Sequence, residues 1–488
     1  MILWAIALFP MSAALISLAL RRRSAVLIWI VAGSLVELVL ALSAAARVFR
    51  AGAVSTLDGH IALDALSALH LCLVAVVSLL SSIYAREYFS HESESSLDDR
   101  TAWKFGGLWF AFIGSMVGVL LFNNVGLMWV SMESTTLAST FLICLHRDRP
   151  SMEAAWKYLI ICSAGIMLGL LGTIFIYGAS PLAGESALKW STLMDSAAQM
   201  DPRPARIGFI LILIGYGTKV GLAPMHTWLP DAHSQAPTPV SAMFSGVLLN
   251  CGFYCITRFV PIVSTAVGDP SWCRHMLLGF GLFSMLVASL FILGQRDLKR
   301  LLAYSSVEHM GIVAVGMGMG GGGTFAALYH TINHSVCKSL AFFCAGRTIQ
   351  ERGTRDIEKL SAGRDRVPVW GSGLLVALLA LIGCAPFSIF MSEFLIVRAG
   401  VEEGQVAAVA LFLLAAATVF AGALKPAISL AFGVGKSESR PPAGPVRSAG
   451  TAHALVGILS LVLIGLGVWI PAQLQTILHQ AAAVIAGN

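Results

Sequence analysis

Three ionisable residues, His330, His334 and Lys338, recur at every fourth position of the stretch FAALYHTINHSVCKSLAFFCAG (325–346). A helix turns about 100° per residue, so the three side chains fall within roughly 80° of one another, stacked along one face. The surrounding residues read as a membrane span, where an ionisable group costs on the order of 3 kcal/mol. Imidazoles exchange protons near neutral pH and a lysine carries one more. The stripe therefore reads as a proton or ion relay lying in the plane of a membrane. Its plainer alternative is a polar stripe that glues helices together.

Two other stretches place ionisable residues beside a helix break. Gly221-Leu-Ala-Pro224 follows Lys219 and precedes His226, and Gly383-Cys-Ala-Pro386 lies seven residues before Glu393. Proline removes a backbone donor and clashes with the preceding turn, so Pro224 and Pro386 are each expected to interrupt a helix. Within a bilayer such a break is tolerated only where protein or water covers it. Glu133 is the lone charge in LMWVSMESTTLAST, and its expected partner is an intramembrane lysine, Lys219. Glu308 and His309 fall a turn or two into another span, near the cytoplasmic side, as a proton entrance or merely a wet surface. Lys425 before Pro426 is an accessory candidate or a snorkelling lysine. Asp64 reads as a helix cap, Glu37 as a lone carboxylate open to either reading, and His233 as solvated in a polar loop.

The elements that must position these groups follow from composition. The 488 residues are 57% hydrophobic and 12% charged, with a mean hydropathy of +0.80, against roughly 25% charged in soluble domains. An all-α polytopic membrane protein is expected. Segments long enough to span lie near 2–20, 25–46, 64–84, 103–122, 124–143, 156–178, 206–226, 239–260, 275–295, 302–319, 324–346, 369–396, 404–432 and 451–472, about fourteen helices. Residues 1–20 lack a basic start and are followed by Arg21, Arg22 and Arg23, which suits a retained first span rather than a signal peptide. Lys and Arg number about 21 in the odd-numbered connections and about 8 in the even ones, so both termini are expected outside the cytoplasm.

The broken seventh and twelfth spans are five apart and run in opposite directions, the mark of inverted repeats. The expected organisation is three N-terminal helices (1–100), a first repeat of helices 4–8 (101–262), a second of helices 9–13 (263–432), and a linker with helix 14 (433–488). The loop at Ser90–Arg100 and the 433–450 segment read as exposed connections without motifs. The nine cysteines are scattered through apolar segments, and no Cys-x-x-Cys, Walker or Rossmann pattern occurs. No metal site and no cofactor bound by this chain are expected, nor a nucleic-acid surface.

Several long motifs carry a resemblance. Lys219-Val-Gly-Leu-Ala-Pro-Met-His-Thr-Trp-Leu-Pro-Asp-Ala-His233, Ala236-Pro-Thr-Pro-Val-Ser-Ala242, Asp297-Leu-Lys-Arg-Leu-Leu-Ala-Tyr-Ser-Ser306 and His330-x₃-His334-x₃-Lys338-x₃-Phe342 resemble the antiporter-like membrane subunits shared by respiratory complex I, Mrp-type cation/proton antiporters and membrane-bound nickel–iron hydrogenases. Glu133-Ser-Thr-Thr-Leu and Glu153-Ala-Ala-Trp-Lys-Tyr158 resemble most the F component of hydrogenase-4, the formate-hydrogenlyase type. The resemblance implies a proton path from the Glu133/Lys219 pair through His330, His334 and Lys338 to Glu393. It also implies a non-catalytic role in the inner membrane beside other membrane subunits and a peripheral hydrogenase and iron–sulfur arm. The alternative it implies is a subunit of a Na⁺/H⁺ antiporter. Many relatives carry a lysine or histidine in helix 8, where this chain has Phe244-Ser-Gly-Val-Leu-Leu-Asn-Cys251, so the link between halves is expected to need water.

Overall fold

The computed structural model describes residues 2–56, 59–90, 97–360, 367–432 and 450–487. Residues 433–449 of the expected linker and the middle of the Ser90–Arg100 loop lie outside the described residues. The chain is almost entirely helical. By length and composition, nine of the described helices are able to cross a membrane: Ile2–Ala19, Arg23–Ala51, Ala65–Ser90, Asp99–Leu121, Arg149–Ala179, Thr238–Val267, Pro270–Leu293, Val406–Leu430 and Gly450–Val468. The other expected spans are short, interrupted or polar: Val125–Ile143, Pro202–Val220, Leu298–Met319, Gly322–Arg352, and the pair Pro368–Leu381 and Ser388–Glu402. Helices satisfy their own backbone groups, which is what lets this multi-pass protein sit in hydrocarbon.

Short polar side chains start the helices. Asp98, Asp148, Asp201, Asp269 and Asp297 each accept a backbone N–H two or three residues on, relieving donors that a first turn leaves unpaired. At Asp98 the Thr101 hydroxyl and N–H together hold the carboxyl below the usual carboxylate range.

Glycine sets the closest helix pairs. Arg149–Ala179 packs on Pro202–Val220, and a Cβ at Gly215 would lie 2.6 Å from the Gly169 Cα and 2.8 Å from the Gly165 carbonyl. Pro270–Leu293 packs on Leu298–Met319 in the same manner, where a Cβ at Gly281 would meet the Gly311 carbonyl at 2.7 Å. Small residues let backbones approach where hydrocarbon supplies no hydrophobic drive. The polar helix Gly322–Arg352 is innermost, enclosed by Leu298–Met319, Pro368–Leu381, Ser388–Glu402 and Gly450–Val468.

Three features depart from the expectations. Val54–Thr56 pairs antiparallel with Ile61–Leu63, a hairpin too short for an alternating pattern to announce. The last expected span ends at Val468, and after Pro471 a further helix, Ala472–Ala486, packs on Ala65–Ser90 and Gly322–Arg352. Asp64 caps its helix through the Ser67 N–H (2.9 Å), as expected. It also receives both arms of Arg258, at 2.5 and 2.9 Å. Arg258, inside the expected span 239–260, is buried between Trp190 and Tyr254, 4.7 Å from each ring centroid.

Replacing Gly215 by valine forces a side chain into the Gly165–Gly169 backbone, at a cost of about 1–3 kcal/mol or more. The thermal unfolding midpoint of the purified complex is expected to fall. Gly279→Val, where no atom lies within 4 Å, should leave it unchanged.

Candidate functional site

Both prolines stand where helices stop. Pro202–Val220 ends at Gly221, whose φ of +81° is a left-handed turn open to glycine, and the chain resumes as Trp228–Gln235. Leu222 N–H returns to the Gly217 carbonyl, the Trp228 indole donates to the Thr218 carbonyl at 2.8 Å, and Ala223 N–H donates to Ser284 Oγ at 2.9 Å. Pro368–Leu381 ends in the same manner at Gly383, φ +69°, and resumes as Ser388–Glu402. There Cys384 N–H returns to the Leu379 carbonyl, and Asn333 Nδ2 donates to the Ser388 carbonyl at 3.0 Å. Ala223–Pro224 and Ala385–Pro386 are both cis. Protein groups thus satisfy the backbone that each break exposes.

Lys219 occupies the last turn before the first break and is fully buried. Its Nζ donates to Tyr158 OH at 2.6 Å and to Thr136 Oγ1 at 2.9 Å, and lies 4.7 Å from the Tyr158 ring centroid. The expected direct Glu133–Lys219 ion pair is not among the described ones. Thr136 stands between them instead, since its hydroxyl accepts from Lys219 and donates to Glu133 Oε2 at 3.2 Å. Glu133 turns its other oxygen to Ser163 Oγ, at 2.6 Å, on the neighbouring helix. Helical spacing explains the change, because Glu133 and Thr136 are one turn apart on the same face.

In the second half, His330, His334 and Lys338 share one buried face, as their spacing requires. Lys338 Nζ donates to Ser305 Oγ at 2.5 Å and to the Leu302 carbonyl at 2.9 Å. That carbonyl also accepts from Ser305 Oγ (3.0 Å) and Ser306 Oγ (3.1 Å). His330 bridges two helices, with Nε2 3.0 Å from His309 Nδ1 and Nδ1 2.9 Å from Ser392 Oγ. The His309 ring stands 5.3 Å from the His334 ring, whose two nitrogens have no hydrogen-bond partner among the described residues.

Glu308 and His309 are therefore not a wet surface at the membrane margin. Their helix begins at Leu298, a turn earlier than expected, and is buried around its circumference, which carries both residues inside. Glu393 stands over the second break, where a methyl added at Gly383 would come 2.5 Å from its Oε2. His226 lies in the first break but packs on Phe291 and Tyr304, with no hydrogen bond joining it to Lys219 among the described residues. Lys425 is exposed on the outer face of Val406–Phe432 and joins none of these groups.

The structure adds a residue that sequence reasoning placed in solvent. His233 is fully buried, stacked on Phe342 (5.4 Å, 21°) with Phe244 edge-on at 5.8 Å, and neither of its nitrogens has a described partner. It lies on the helix that follows the first break and faces the polar helix that carries Lys338. The segment looked like a loop because Asp231, Ser234 and Gln235 surround it. Leu229 and His233, four apart, were the available signal of a buried face. Over Phe244–Asn250 helix 8 carries no charge and takes part through neutral groups. Asn250 Nδ2 donates to Ser335 Oγ at 2.8 Å, and Ser245 Oγ is 2.8 Å from Ser306 Oγ. Ser245 lies within a π-helical turn at Phe244–Leu248 and Asn250 just after it, an irregularity frequent at functional sites.

The family profile described as NADH:quinone oxidoreductase/Mrp antiporter, transmembrane, matches residues 123–419, a segment that holds Glu133, Lys219, His233, Lys338 and Glu393. The chain belongs to this family. It is 39% identical over 390 residues to a hydrogenase-4 component F homolog of Methylacidiphilum infernorum, covering 79% of this chain and 81% of that one. It spans half or less of the length of three further curated relatives. Its fold is shared with a chain of the membrane-bound sulfane sulfur reductase, an archaeal respiratory complex (TM-score 0.87, 24% identity, 99% of this chain and 97% of that one). A chain of the Mrp complex of Dietzia sp. is similarly close (TM-score 0.85, 21% identity, 99% and 97%). The protein is an antiporter-like membrane subunit of the hydrogenase-4 and complex I kind, and those structural neighbours are parts of multi-subunit membrane complexes.

In this family member Thr136 is the only described hydroxyl bonded to both Glu133 and Lys219. Thr136→Val should lower thermal stability by about 1–3 kcal/mol, the cost of an unmade buried hydrogen bond. A double-mutant cycle of Thr136→Val with Glu133→Gln should be non-additive. Strict additivity in unfolding midpoints would show that Thr136 does not couple the pair.

Proposed function

We propose that this chain translocates protons within a redox-driven complex of the membrane-bound hydrogenase or complex I type, through its buried row of Glu, Lys and His residues. One observation carries the reading: Lys219, His233, His334, His309, His330 and Lys338 are all fully enclosed within a membrane protein. That many ionisable groups away from water is costly, and in membranes such groups mark ion pathways.

In this reading Lys219 holds its proton between Tyr158 and Thr136, and Thr136 conveys the charge of Glu133. A buried ammonium depends on compensation nearby. When Glu133 withdraws or is neutralised, the compensation weakens and the proton moves on to His233, which the Phe342–Phe244 box holds facing the second half. From there it passes to the His334/Lys338 cluster and through His309, His330 and Ser392 toward Glu393 at the second break. The two breaks, each with a left-handed glycine three residues before its proline, in helices five apart, support an organisation in two inverted repeats. Redox centres would reside in partner subunits, a hydrogenase and its iron–sulfur proteins. The chain would lie in the cell's inner membrane with both termini outside.

A second reading, a subunit of a Na⁺/H⁺ antiporter, draws support from the near full-length likeness to an Mrp complex chain. Reconstituting the purified complex in proteoliposomes with a pH-sensitive dye separates the two. Lys219→Ala and Lys338→Ala should each slow proton movement at least about tenfold, the equivalent of roughly 1.4 kcal/mol, while the complex still assembles. Proton movement in the wild type that needs no Na⁺ supports the pump, and a strict Na⁺ requirement supports the antiporter. Unchanged rates in both variants would remove the relay.

A further inference from the structure

A second buried carboxyl lies outside the row and outside the family-matched segment. Glu37 sits on the inward face of Arg23–Ala51, in line with Ile30, Ser34, Ala41 and Ala44, and is 1% exposed. Neither of its oxygens has a hydrogen-bond partner among the described residues. The chain turns through the Val54–Leu63 hairpin between this helix and Ala65–Ser90, so the two run antiparallel. Ser34 Oγ and Ser82 Oγ meet at 2.9 Å and fix their register. Three residues further, about 4.5 Å along the axis, Glu37 stands at the level of Ser78. The Ser78 and Ser81 hydroxyls are also buried and without described partners. Unpaired acceptors and unpaired hydroxyls thus share one level between two helices.

We propose that Glu37 is a proton-binding site of its own, off the central row, which exchanges its proton with the aqueous phase on the Arg21–Arg23 side. A bare carboxylate in hydrocarbon is too costly to persist, so a cation or a proton must neutralise it. Hard cations take about six oxygens. The described side chains at this level offer two carboxylate and two hydroxyl oxygens, and the helical carbonyls are already bonded. A proton needs one oxygen and turns the carboxyl into a donor for a hydroxyl.

The direction of exchange follows from what flanks the site. Toward Arg21–Arg23 lie Ser34, Ser82 and the Trp109 indole, which donates to Ser82 Oγ at 3.0 Å. Toward the hairpin the same faces carry Ala41, Ala44, Ala45, Leu71 and Val74 before the next hydroxyl, Ser67, which is already engaged by Tyr254 and Arg258. No ionisable residue of the packed helices stands at Glu37's level. Ile2–Ala19 has none. Ala65–Ser90 has His70 and Cys72 well toward the hairpin, and Tyr84, Arg86, Glu87 and Tyr88 at its other end. Asp99–Leu121 has only Asp99, Arg100 and Lys104, in its first turns.

A hydrophobic carbodiimide tests this, because it adds across the O–H of a neutral carboxyl with nothing leaving. The intact complex in sealed vesicles, treated with dicyclohexylcarbodiimide and digested, should show an adduct on the Glu37 peptide by mass spectrometry. The adduct should be unaffected by Na⁺, absent in Glu37→Gln, and reduced severalfold when only the Arg21–Arg23 side is made alkaline. No adduct where the Glu308 peptide is labelled would overturn the proposal, as would protection by Na⁺ or a response to the opposite side alone. Should Glu37→Gln not assemble, the wild-type labelling decides alone. Neither outcome depends on whether the central row moves protons.

Discussion

Hydrocarbon offers no partner to a polar group, so every charge inside this chain has to be answered by the chain itself. The answers are mostly not opposite charges. Lys219 is answered by a phenol and a threonine, Lys338 by a serine and a peptide carbonyl, and His330 by a second histidine and a serine. Hydroxyls fit such places because they both donate and accept hydrogen bonds. A row of tight ion pairs would hold its protons where they are.

That constraint also explains the scaffold. Enclosing a helix as polar as Gly322–Arg352 takes a full ring of neighbours, and close approach of those neighbours takes glycine. The breaks at Gly221–Pro224 and Gly383–Pro386 expose backbone, and indole, amide and hydroxyl donors or acceptors from adjoining segments close over it. Lys219 and Glu393 each border such a break, where the local backbone no longer feeds a helical ladder and the surroundings are polar.

What was legible in the sequence was what periodicity and proline record. The four-residue spacing of His330, His334 and Lys338 has one geometric consequence, and the helix carries it out. Pro224 and Pro386 interrupt their helices for reasons internal to the chain. Partnership was less legible. Glu133 and Lys219 belong to one cluster, but that Thr136 stands between them depends on rotamers and on Ser163 across the groove. His233 was misplaced because its polar neighbours Asp231, Ser234 and Gln235 disguised a buried face. Glu308 and His309 hinged on a helix starting one turn early, a boundary that apolar patterning leaves loose.

The Leu302 carbonyl has two lone pairs and four donors: its helical N–H partner, Ser305, Ser306 and the Lys338 ammonium. They cannot all be served at once. With Lys338 on the oxygen, Ser306 Oγ lies 3.1 Å from that carbonyl and 2.8 Å from Ser245 Oγ on helix 8, so its one proton serves either the carbonyl or the Ser245 pair. One oversubscribed oxygen thus arbitrates between a lysine of the second half and a hydroxyl pair that touches the first. An isotope label on that single carbonyl would let vibrational spectroscopy read the arbitration as it happens.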